Sequence, residues 1–173
     1  MSALVSTVGR VSQNPSAWTH PWRRLRALSH ITLLWHHRDH DEAYGITDFA
    51  AGTISLRSDL DQAGRRSTLL HECLHVERGP ALAGVLAARE ELRVRREAAR
   101  ILLPNIRAVG EALAWAHTLE EAAGELWVDV DTLRDRLDFL HPAELHYLRA
   151  RLDDGQDART VVGDAGDVGA WSA

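Results

Sequence analysis

The sequence predicts an α+β fold, with a small antiparallel sheet near its N-terminus followed by a run of helices. Three observations carry this. Residues 31–57 hold three short segments that are rich in β-branched residues or alternate between apolar and polar. From Asp61 onward the apolar spacing becomes helical. Gly79-Pro80, Pro104, a Thr118–Glu121 capping box and Pro142 then divide the helical stretch into separate pieces.

Taken in order, residues 1–20 are mixed and polar and read as a lead-in. Ile31 to Trp35 reads as a strand. His36 to Glu42 is a polar turn; its His36, His37, His40, Asp39 and Asp41 read as solvated groups rather than a second metal site. Tyr44–Phe49 and Thr53–Arg57 read as half-buried strands, with Ala51-Gly52 as the hairpin turn between them. A helix runs from about Asp61 and stops at Gly79-Pro80. The next starts near Ala81 or Ala87 and ends at Leu103, before Pro104. Further helices are expected over Ile106–His117, from the capping box to about Leu126, over Asp131–Leu140, and from Pro142 to about Leu152. This divides the chain into a core at 20–104 and a helical appendage at 105–152 packed on it. Residues 1–19 and the Gly- and Asp-rich stretch 153–173 are expected as flexible ends.

Composition limits the function classes. The 173 residues suffice for one domain with its own core. Hydrophobic residues at 45% beside charged residues at 26% exclude wholesale disorder. The lone Cys, Cys73, excludes an internal disulfide. No run approaches the roughly 18 apolar residues of a membrane-spanning helix, so no membrane partner is expected. A net charge of −5 argues against nucleic acid as a direct partner. The first residues lack a basic segment followed by an apolar run, and the expected location is the cytoplasm.

Residues 71–75 read His-Glu-Cys-Leu-His, an H-E-x-x-H motif inside a predicted helix. Positions i and i+4 share a helix face, so His71 and His75 can bind one metal ion, with zinc as the expected cofactor. Glu72 lies about 100° round and can reach a metal-bound water without being a ligand. The bland alternative is two solvated histidines. For a third ligand the next helix offers Glu91, centred on the stripe formed by Ala87, Val94, Ala98 and Leu102. A carboxylate aimed into a core is costly unless paired or metal-bound. Glu90, at the stripe's edge, is the runner-up, and a buried ion pair to an Arg is the competing role for Glu91. Glu77 follows His75 by two residues and points away.

These residues resemble the ImmA/IrrE-like metallopeptidases of bacteria, phages and mobile elements. The resemblance spans roughly residues 20–150. It rests on Thr53–Arg57, the stretch Gly64–Pro80, Glu90–Val94, Ala98–Pro104 and the helical segment Ala122–Leu137. It implies a zincin-like domain in which His71, His75 and Glu91 hold zinc and Glu72 is the general base. The implied activity is a zinc-dependent endopeptidase acting on a regulatory DNA-binding protein, typically a helix-turn-helix repressor. Position 95, often acidic or amide in that family, is Arg95 here. The competing reading is a non-catalytic regulator with structural zinc, using its helical appendage to bind protein or DNA.

Other features weigh less. Ala122–Leu137 resembles helix-turn-helix spacing, but Asp129, Asp131, Asp135 and Asp138 stand at its expected exposed positions beside Arg134 and Arg136 and would oppose phosphate binding. It reads as a structural helix pair. His117, His141 and His146 read as surface or core histidines, with one of them conceivable as an oxyanion donor. Trp18, Trp22, Trp35, Trp115 and Trp127 read as packing residues, and so does Cys73.

Overall fold

A computed structural model describes residues 20–37, 43–80 and 84–153. The elements are α1 (Pro21–Ala27), β1 (Thr32–His36), β2 (Gly45–Asp48), β3 (Thr53–Arg57), α2 (Gln62–Arg78), α3 (Val85–Leu102), α4 (Ile106–Trp115), α5 (Leu119–Glu125), α6 (Val130–Asp138) and α7 (Pro142–Asp153). The α+β class is therefore as expected. The expected flexible ends fall on 1–19 and 154–173 and lie outside the described residues, as do Asp39, His40, Asp41 and Trp18. Asp153, by contrast, closes α7.

The sheet is mixed rather than antiparallel. Its order is β1-β3-β2, with β1 parallel to β3 from Thr32↔Thr53 to His36↔Arg57, and β2 antiparallel to β3 from Gly45↔Leu56 to Asp48↔Thr53. The four-residue turn at 49–52, with Gly52 at φ +65°, forces β2 and β3 antiparallel. The chain reverses twice between β1 and β3, so a β1 on the far side of β3 must run parallel to it. That leaves β2 as a sheet edge.

Helix α1 has no counterpart among the predicted elements. Pro21 occupies its first turn, and Trp22 and Leu25 pack under the sheet. Its buried Arg24 donates to the Glu77 carboxylate through Nε at 2.7 Å, which accounts for Glu77 facing away from the site. Other helix starts follow their caps. Asp61 accepts from Gly64 N at 2.7 Å, Asn105 from Arg107 N at 3.0 Å, Thr118 from Glu121 N at 3.2 Å and Asp129 from Thr132 N at 2.7 Å. Helix α2 stops at Gly79, whose φ of +82° suits a residue without Cβ.

Helix α2 is the hub, and successive i,i+4 pairs along it face three ways. Leu70 and Leu74 join a cluster with Val94, Leu102, Val109, Leu113, Leu119 and Leu133, drawn from both sides of Pro104. Leu69 and Cys73 join Ile54 and Leu56 beneath the sheet. His71 and His75 face neither cluster. Each pair is rotated by about 100° from the last, which is why one helix can bind two cores and still present a third face.

Three tryptophans depart from the packing role. Trp35, Trp115 and Trp127 are 48%, 66% and 62% exposed. Trp35 stands on the inner sheet face, but the Arg65 guanidinium lies 5.0 Å from its ring in place of an apolar neighbour. Trp115 is the last residue of α4. Trp127 occupies the α5–α6 turn at φ +57°. Among the described residues no helix is long and apolar enough to cross a membrane.

Candidate metal centre

The H-E-x-x-H helix forms over Gln62–Arg78 and brings His71 Nε2 and His75 Nε2 to 3.0 Å of each other. Across from them α3 presents Glu91, with Oε2 3.1 Å from His75 Nε2 and Oε1 3.4 Å from His71 Nε2. Among the described residues these three are the cluster able to hold a metal ion. The fit is good. Tetrahedral bonds of about 2.0–2.1 Å set neighbouring donors about 3.3 Å apart, close to the three separations here. Two imidazole nitrogens and a carboxylate converging on one point suit a divalent cation better than one another. Hydrogen bonds from His71 and then His75 hold the Glu91 carboxyl far below the usual carboxylate range, and Glu91 in turn raises His75.

Glu91 does not point into the core as its place in the stripe predicts. Val94, Ala98 and Leu102 are buried, but the Glu91 side chain is 47% exposed and opens on a cleft. The runner-up, Glu90, turns to Arg78 and Arg93 and has no part in the triad.

Glu72 is buried beside the triad, and its Oε2 accepts from Thr47 Oγ1 at 2.7 Å. Strand β2 approaches α2 closely here because position 45 is glycine. A Cβ on Gly45 would lie 2.8 Å from Glu72 Oε1 and 2.5 Å from Thr68 Cγ2. Sequence reasoning missed Gly45 and Thr47. Their only signal was the alternation of β2, which sets both on the inner face once the register is known.

The cleft has a volume of about 460 Å³. Its floor is α2, with His71 and Glu72. One side is the β2 edge at Gly45, and the other is α3 with Glu91 and Arg95 and α6 with Asp131 and Asp135. The acidic residues expected on an exposed face of α6 are thus partly turned inward. Asp135 is buried and bridged by Arg95, whose Nε lies 3.0 Å from Oδ2; burial pushes its carboxyl up while Arg95 pulls it down. Arg136 is buried too and donates to the Leu103 carbonyl at 2.9 Å and to Glu144 at 3.1 Å. Three bonds fix the α5–α6 turn against α2, one of them from Arg66 to the Leu126 carbonyl at 3.4 Å. Arg66 donates to the Trp127 carbonyl at 2.7 Å, and Asp129 N donates to Ser67 Oγ at 3.2 Å. His117, His141 and His146 are exposed and none lines the cleft. His36 and His37 meet Ser55 and Ser58. Cys73 is fully buried in the sheet-side cluster, and burial pushes its thiol up to about 12. Compared with protein-family models, curated proteins and solved structures, the chain matches none of them.

Proposed function

We propose that the chain is a zinc-dependent metallo-endopeptidase of zincin-like architecture. The observation that carries this reading is the triad of His71, His75 and Glu91 opening on a cleft, with Glu72 buried beside it and oriented by Thr47. A structural zinc site closes four protein ligands around the ion, whereas a catalytic one leaves a position free. Among the described residues three donors converge here. Bound there, zinc supplies a Lewis acid and lowers the pKa of its water toward about 7.

The chain's own residues do the rest. Glu72 accepts a proton from the attacking water and returns it to the leaving amine. Thr47 occupies Oε2, so Oε1 is the oxygen left to carry that proton. Gly45 keeps the space beside Oε1 clear. The substrate we assign is a regulatory DNA-binding protein such as a helix-turn-helix repressor, cleaved in the cytoplasm in the regulation of a phage or mobile element. Its support is the resemblance to the ImmA/IrrE-like metallopeptidases.

The test is Glu72→Gln, which keeps shape but cannot take the proton. Wild type and variant should carry equal zinc, about one per chain. Hydrolysis of a repressor substrate should fall roughly 10²-fold or more. Equal hydrolysis by both proteins would refute Glu72 as the base.

A further inference from the structure

We propose that this cleft selects a peptide with a cationic side chain, Arg or Lys, next to the scissile bond, and that Asp131 is the residue that reads it. The inference rests on the peptidase reading and concerns the wall that α3 and α6 form beside the triad. What lifts that wall above a mere group of carboxylates is its place in one cavity with the metal triad, where a bound peptide must lie.

The cleft is lined by Glu72, Glu91, Asp129, Asp131 and Asp135 against one cation, Arg95. Four of the five carboxylates are committed. Glu91 faces the metal and Glu72 carries the proton. Asp135 holds the Arg95 guanidinium with both oxygens, and Asp129 caps α6 through Thr132 N at 2.7 Å. Asp131 differs. Its side chain is 65% exposed, and its partner, Arg134, is an exposed i,i+3 neighbour at 3.3 Å, a pairing of little strength in water. Burial does most to push the carboxyls of Asp129 and Asp135 up, and the nearby charge of Asp131 adds to it. A guanidinium or ammonium entering the cleft would relieve that crowding of like charge, whereas a carboxylate would add to it. Arg95 does not reverse the balance, because Asp135 neutralises it.

Selectivity can be measured without turnover. The probes are two N-blocked dipeptide hydroxamates that differ only in an Arg or a Glu side chain. Each is titrated against zinc-loaded wild type, Asp131→Asn and Asp131→Lys. Wild type should bind the Arg probe roughly tenfold tighter than the Glu probe. Asp131→Asn should shrink the ratio to about threefold, and Asp131→Lys should abolish or invert it. Zinc content should be unchanged, and melting should fall by no more than a few degrees, the cost of removing an acidic group from the first turn of α6. Equal binding of both probes by wild type, or a ratio untouched by Asp131→Lys, overturns the inference while leaving the peptidase reading standing. Zinc-loaded protein that binds neither probe defeats both ideas. A chain that loads no zinc defeats the metal site itself.

Discussion

A rotation of about 100° separates Glu90 from Glu91 and carries the two carboxylates to different partners. Glu90 meets Arg78 and Arg93; Glu91 meets His71 and His75. Glu91→Gln should therefore weaken zinc affinity by about 100-fold or more, because a neutral amide is a poor ligand for a dication. Glu90→Gln should leave zinc affinity nearly unchanged. A buried ion-pair partner would behave otherwise, and its loss would cost the fold about 3–5 kcal/mol. The half-exposed Glu91 side chain predicts no such loss. Zinc titrations and melts on both variants decide, and a Glu90→Gln protein that loses zinc while Glu91→Gln keeps it would reverse the assignment. The motif and the helical wheel made this cluster of three residues legible, because i,i+4 spacing and a carboxylate amid apolar residues are local patterns. The cleft that receives Glu91 was not legible. It depends on where β2 and α6 stand, and no local pattern states that.

Helices α2 to α7 were readable because several of their ends are written in short-range chemistry. The Thr118 capping box opens α5, and Gly79 and Pro104 follow the ends of α2 and α3. The orientation of α6 was not readable. Its Asp135 and Arg136 look like solvent-facing charges until Arg95 and Glu144 arrive from elsewhere in the chain. Strand direction failed for a related reason, since alternation marks faces but not neighbours. The α6–α7 link also has a pH signature. Arg136 holds the Glu144 carboxyl down to about 2. Protons thus bind this group more readily in the unfolded chain, where its pKa is about 4.3. The stabilisation is complete above that value and is lost as pH falls toward about 2. Glu144→Gln should melt a few degrees lower than wild type at neutral pH, and the gap should close across that acid window. Parallel melting curves for the two proteins from pH 5 to pH 2 would show that the pair contributes nothing.

On the scale of the whole molecule, the two apolar clusters share α2, so the sheet and the later helices are tied through the element that carries the motif. The apolar face of α3 was legible from its period, and Val94, Ala98 and Leu102 are buried as that stripe places them. Helix α1 was not, because seven residues with two apolar contacts carry too weak a period.

Cys73 turns this arrangement into a clock. It is the chain's single thiol, sealed on the sheet-facing side of the helix that bears His71 and His75. A small alkylating reagent can consume it only in moments when α2 lifts from the sheet, so the reaction rate counts those moments. An ion gripped between α2 and α3 should make them rarer and slow the clock as zinc is added. Equal alkylation rates with and without zinc would mean that the two sides of one helix keep separate time.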